Sequence, residues 1–188
     1  PFRYMAHNGE INTIRGNVNW MRTKETLLNS SLFTKEELEI ILPICDPDQS
    51  DSANLDNVVE LLYLAGRSLP HALMMLVPEA WQNDDSLKDP KRAFYQYHAS
   101  IVEPWDGPAS ISFTDGEIIG ATLDRNGLRP SRYCLLEDGT LIMSSEAGSL
   151  PVEQSKVVEK GRLEPGKMFV VDLKLGKIIS DEELKQRI

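Results

Sequence analysis

Hydrophobic positions recur at helical spacing through the first half of this chain and alternate at strand spacing through the second. The firmest helix begins at Ser52, where Leu55, Val58, Val59, Leu62 and Ala65 return every three or four residues. Asp51 stands at its N-cap, where a carboxylate accepts backbone N–H bonds, and Ser50 is the alternative cap. A second helix is expected from Gly16 to Leu28, because Trp20 with Leu27 and Met21 with Leu28 share one face. Lys24 interrupts that stripe, with its stem free to lie over apolar surface and its charge in water. Thr34 and Glu37 form a capping-box pattern for a short helix through Ile41, which Pro43 ends. Pro70 and Pro90 suit first helical positions, for helices through Leu76 and Ile101.

From Ala109 the period changes. ASISFT, the turn Asp115-Gly116 and EIIGATL predict one hairpin, and SRYCLLE, Asp138-Gly139 and TLIMSS predict another. KMFVVDL, Gly176 and KIIS make a third pair, closed by a helix that Ser180 and Glu183 cap. Strands joined by tight turns are antiparallel, so the expected fold class is α+β, with helices layered on antiparallel sheets.

At 188 residues with 41% hydrophobic and 26% charged residues, the chain suits one globular domain spanning 1–188. A net charge of -9 argues against nucleic acid or an anionic membrane as the main partner. No apolar run is long enough to span a bilayer. Cys45 and Cys134 form no CxxC pair and His7, His71 and His98 share no ligand spacing, so neither a disulfide framework nor a metal site is expected. That cysteine usage fits a reducing compartment. The chain opens at Pro1 with a strand-like run, PFRYMAH, and reads as cut inside a folded domain with an upstream portion removed.

The first candidate for chemistry is His7-Asn8-Gly9-Glu10. Between FRYMAH and INTI, Asn-Gly is a favoured two-residue hairpin turn. The same pair also suits an oxyanion site, with the Asn amide and the Gly backbone N–H converging on developing negative charge. Gly127, Arg129 and Pro130 suit either an anion cradle or, more simply, a turn between strands. Trp20, Trp81 and Trp105 read as core or interface anchors, and Glu36–Glu39 and Asp181–Glu183 as solvated helix faces.

HNGEINT followed by GNVNWM resembles the amidotransferase domain of the glutamate synthase large subunit. DSANLD at 51–56, MMLVPEAW at 74–81, EPWDGPA at 103–109, DRNGLRPSRY at 124–133, SSEAG at 144–148 and EPGKMFVVD at 164–172 extend the resemblance in order over nearly the whole chain. The shorter elements are shared with class II amidotransferases generally. The resemblance implies a four-layer αββα sandwich of the N-terminal-nucleophile hydrolase type, incomplete in this chain. It implies hydrolysis of L-glutamine to glutamate and ammonia through a thioester on an N-terminal Cys, with the ammonia passed to 2-oxoglutarate by synthase domains of the same polypeptide. Asn8 and Gly9 match the oxyanion pair, and Asp51 matches the acid that binds the substrate α-ammonium group. FMN and an iron–sulfur cluster are implied for the rest of such a protein, with no cofactor in this chain. The implied location is cytoplasmic, or plastid in a plant or alga.

Departures from that pattern matter equally. The nucleophile position is Pro1, Cys45 and Cys134 read as structural thiols, and the family's carboxylate-clamping Arg has no match here, Arg3 included. A chain with these residues alone is expected to be inactive. Two rival readings remain: another class II amidotransferase, which HNGEINT and EPWDGPA disfavour, and a non-catalytic binding module with the same fold.

Overall fold

A computed structural model of the chain describes residues 2–84, 87 and 89–188, so Pro1 lies outside the described residues. Among the described residues six α-helices precede, flank or follow two antiparallel sheets, which makes the fold α+β as the change of period predicts. The larger sheet has the strand order β1-β2-β3-β7-β8, from Met5–Gly9, Ala109–Thr114, Ile118–Leu123, Met168–Asp172 and Lys177–Ile179. The smaller has the order β5-β4-β6, from Leu141–Ser144, Arg132–Leu136 and Val157–Arg162.

Strand alternation divides the large sheet into two dissimilar faces. Met5, Ile111, Phe113, Met168, Val170 and Ile179 lie on one face, in the main core with Leu55, Val58, Val59, Leu73 and Leu76. These come from helices α3 (Asp51–Leu64) and α4 (Leu69–Leu76), and Leu184 of the C-terminal α6 (Asp181–Arg187) joins them. On the other face Ala121, Leu123 and Phe169 meet Met143 and Leu163 of the small-sheet region. The described residues thus supply helix, sheet and sheet layers in that order.

Helix boundaries follow local chemistry. Thr34 and Glu37 form the complete capping box at the start of α2 (Lys35–Ile41). Ser50, not Asp51, caps α3: its hydroxyl accepts from Ala53 N at 3.1 Å, and Asp51 becomes the first helical residue. Helix α1 (Ile14–Glu25) begins and ends earlier than the stripe suggests. It buries Asn17, Val18 and Met21, while Trp20 and Leu27 are 52% and 78% exposed. Lys24 bridges Glu103 at 2.7 Å and lies over the Trp20 ring, so this face is a charged surface and not a core seam. Trp105 is a core anchor and Trp81 stacks on Tyr95, as expected; Trp20 is not.

Strand β6 is absent from the sequence reading. On the face it shares with Tyr133 it carries the exposed Glu159, which accepts from the Tyr133 hydroxyl, and Gly161, which lies under the Tyr133 ring, so no apolar alternation marks it. Asp181 also departs from expectation. Its carboxylate accepts from Met168 N at 2.9 Å and pairs with the buried Lys185 at 2.8 Å, so it pins α6 to the sheet and is not a solvated helix face.

Helix α5 (Asp89–Ala99) ends two residues before Ile101 and meets α4 through a histidine pair. His98 Nδ1 donates to Phe94 O, which leaves its Nε2 to accept from His71 Nε2 at 3.0 Å. Burial, His98 and Arg67 together push the His71 pKa down to about 4. A depressed histidine stays neutral in the folded chain while the unfolded chain takes up a proton. Stability from His71 is therefore present above pH 6.5 and lost as pH falls towards about 4. Denaturation midpoints measured across that window should fall, and the His71→Gln variant should show a shallower fall; an unchanged slope would remove His71 from the account.

Candidate active site

The signature segments, scattered in sequence, meet at one end of the large sheet. Asn8 and Gly9 are the last residues of β1, paired with Ser110 and Ala109. They do not form the turn of a hairpin, because residues 11–13 form no strand and the chain enters α1 at Ile14. The partner of β1 is instead β2, about a hundred residues away, whose approach is the EPWDGPA segment.

Two glycines let these backbones touch. Glu10 N donates to Pro108 O at 2.9 Å and Asn12 N to Asp106 O at 2.8 Å. A Cβ on Gly9 would sit 1.8 Å from Pro108 O, and one on Gly107 2.0 Å from Glu10 O; φ at the two is 152° and 155°. Side chains at both positions are excluded by contact and by backbone conformation alike. Asn17 Nδ2, from the GNVNWM segment, binds Pro104 O at 3.0 Å and fixes α1 to the same loop.

Register decides what Gly9 can do. Thr114 N donates to Tyr4 O and Glu10 N to Pro108 O, so the even-numbered residues of β1 take the hydrogen-bonded positions. The Gly9 N–H accordingly points away from β2, and β1 is the outermost strand. Asn8 leaves the strand on the face it shares with Ser110 and Leu123, and its Oδ1 accepts from Arg129 Nη2.

Asp51 lies on the other side of Gly9. Its Oδ2 accepts from Ile11 N at 2.9 Å and its Oδ1 from Ser52 N at 2.7 Å. Burial opposes ionisation of this carboxyl, but the two backbone N–H bonds, His7 and the Ser52 hydroxyl outweigh it and hold the pKa below the usual carboxylate range. Gly9 and Asp51 share a depression of about 540 Å³ with Ile11, Arg15 and Arg22. The Asn8 side chain is not part of that lining; it stands around the corner of the strand.

His7 lies beneath the site on the core face. Its Nδ1 is 2.9 Å from Ser52 Oγ and its Nε2 is buried without a partner. Burial is the main cause that lowers its pKa, with Asp51 opposing and Arg129 assisting, so His7 is neutral at pH 7.

Neither cysteine belongs to the site. Cys45 is fully buried, and burial with nearby Glu25 pushes its thiol up to about 12, which makes it inert. Cys134 lies within β4 of the small sheet. Among the described residues no group of three or more His, Cys, Asp or Glu is placed to hold a metal, and no helix is long and apolar enough to cross a membrane.

A buried residue beside the site that sequence reasoning passed over is Asp124. It is 2% exposed, and its carboxylate accepts from Ala109 N at 3.0 Å, Asn126 N at 2.9 Å and Gly127 N at 3.1 Å. It therefore ties the DRNGLRP loop to the start of β2. The signal was Asp-Arg-Asn-Gly directly after a strand, an Asx-turn pattern.

The family of class II glutamine amidotransferases matches residues 1–188. The chain is 56% identical over 188 residues to the glutamate synthase [NADPH] large chain of Bacillus subtilis, covering all of this chain and 12% of that protein. It is 54% identical to the glutamate synthase [NADH] of Schizosaccharomyces pombe, covering 9% of it, and 50% identical to the ferredoxin-dependent glutamate synthase of Pyropia yezoensis, covering 12%. Among solved structures, glutamine phosphoribosylpyrophosphate amidotransferase from B. subtilis aligns with 94% of this chain and 28% of its own, at 15% identity and a TM-score of 0.49. The chain thus spans about a tenth of the glutamate synthases it matches, and it belongs to the class II glutamine amidotransferases.

Proposed function

We propose that this chain forms part of the glutamine-hydrolysing site of a glutamate synthase, with Asn8 and Gly9 as oxyanion donors and Asp51 as the ligand of the substrate α-ammonium group. The observation that carries it is the free edge at Gly9. An outward Gly9 N–H, an ionised carboxylate in the depression it shares with Gly9, and the Asn8 side chain around the corner of the strand offer donors to an amide carbonyl and an acceptor to an amine. A cysteine thiolate attacks the side-chain carbonyl of glutamine, and the oxyanion settles against Asn8 Nδ2 and Gly9 N. Collapse, with the proton that the thiol gave up returned to the leaving nitrogen, expels ammonia and leaves a thioester, which water cleaves to glutamate and the free thiol. Neither Cys45 nor Cys134 supplies that thiolate. The ammonia passes to 2-oxoglutarate in synthase domains of the same polypeptide. FMN and an iron–sulfur cluster belong to those domains in this reading; a cluster requires several thiolates together, and the cysteines of this chain are Cys45 and Cys134.

The test is ammonia release from L-glutamine by the full-length protein. Asp51→Ala should raise KM for glutamine about tenfold or more with a smaller change in kcat, as expected for loss of a charge-assisted bond. Because the Asp51 pKa is depressed, this contribution persists down to the acid edge of the profile and is lost only below the usual carboxylate range. An unchanged KM would reduce Asp51 to a structural tie for Ile11.

A further inference from the structure

We infer that Arg129 is a positioning residue that sets the orientation of the Asn8 amide, an inference that rests on the reading of Asn8 as an oxyanion donor. An asparagine amide presents an acceptor on one side and a donor on the other, and the two have nearly the same shape. Only one of its two orientations offers N–H bonds to an oxyanion. A free Asn side chain at a strand edge holds that orientation weakly and reorganises when charge develops, which forfeits the advantage of a preset dipole.

Arg129 removes the ambiguity. A guanidinium has donors and no acceptor, so a contact between Arg129 Nη2 and the Asn8 amide is possible only through Oδ1. With Oδ1 occupied, Nδ2 is turned away from Arg129 and its two hydrogens are available to a ligand. The residues are 121 positions apart, and the loop that joins them in space is tied down by hydrogen bonds on both sides of Arg129. Asp124 binds Asn126 N and Gly127 N, and Leu163 N donates to Ser131 O on the far side of Arg129. Arg129 is itself incompletely satisfied, because its Nε is buried with no partner.

The experiment is steady-state glutaminase kinetics on the full-length protein with Arg129→Lys, Arg129→Met and Arg129→Glu, each in the native and the Asn8→Ala background. Lysine is also donor-only and preserves the amide orientation, so it should retain most of kcat. Methionine releases the amide and should lower kcat about tenfold, with KM for glutamine within twofold. Glutamate is an acceptor, holds the amide reversed, and should approach the ~100- to 1,000-fold loss of removing the Asn8 donor outright. In the Asn8→Ala background the three substitutions should have no further effect on kcat. Equal losses for Lys, Met and Glu, or losses that persist without Asn8, would overturn the inference. A wild-type kcat for Asn8→Ala alone would overturn the oxyanion reading beneath it, so the two failures are distinct. If Arg129→Glu fails to fold, the Lys and Met variants in both backgrounds still decide.

Discussion

Gly9→Ala should abolish glutaminase activity in the full-length protein, by on the order of a thousandfold or more, and should destabilise this chain by about 3 kcal/mol. The added methyl carbon would lie 1.8 Å from Pro108 O and 2.8 Å from Pro108 C, atoms of a backbone that the β1–β2 ladder and the Asp124 carboxylate both hold. No side-chain rotation relieves such an overlap. Either φ moves away from 152°, which swings the Gly9 N–H off its direction, or β1 separates from β2 and carries Asn8 with it. Both outcomes dismantle the proposed oxyanion pair. Denaturant unfolding and ammonia release measure the two effects. Gly107→Ala is the informative companion, since its Cβ would meet Glu10 O at 2.0 Å. It should cost similar stability but less activity, because Gly107 has no proposed donor role. Native stability in Gly9→Ala would mean that the approach of the two segments is not rigid.

That contact also shows where a one-dimensional reading stops. The hairpins β2–β3 and β4–β5 were legible because an Asp-Gly turn joins alternating runs, and α3 because five apolar residues share a face. Helix α1 was harder: a stripe repeating at seven residues does not say whether it faces core or water, and here Met21 is buried and Trp20 is not. Strand β6 places Glu159 and Gly161 opposite Leu135 and Tyr133, so the side it shares with the Tyr133 ring carries no apolar alternation to read.

Asn8–Gly9 exposed the deepest limit. As a dipeptide between two apolar runs it satisfies every local condition for a hairpin turn, yet its strand pairs with a segment near residue 110. Local spacing carries no information about a partner that distant. The motif resemblance did carry it indirectly, since HNGEINT and EPWDGPA are the two surfaces of that contact. Asp51 was ambiguous between cap and ligand until Ser50 took the cap, and Arg129 looked like part of a turn because Asn8 is invisible from position 129.

Asp124→Ala should be the most destabilising single change in the loop that serves this site. One buried carboxylate accepts from Ala109 N, Asn126 N and Gly127 N, and its own backbone N–H donates to Ala109 O at 3.0 Å. Truncation strands the N–H groups of Ala109 and Asn126, while Gly127 N keeps the Asp124 carbonyl at 3.0 Å, and each buried donor left unpaired costs about 1–3 kcal/mol. Water reaches the exposed Asn126 and recovers some of this, so a net loss of about 2–3 kcal/mol is expected from denaturant unfolding. Asp124→Asn separates the causes. Its remaining carbonyl can still accept from Ala109 N, but the amide nitrogen then faces two donors at Asn126 and Gly127. It should therefore lose stability through the loop alone while β2 keeps its register. Because that loop delivers Arg129 to Asn8, Asp124→Asn should also lower kcat in the full-length protein with little change in KM, in parallel with Arg129→Met. A large stability loss with native kcat would show that Asp124 holds the fold without setting the geometry at Asn8.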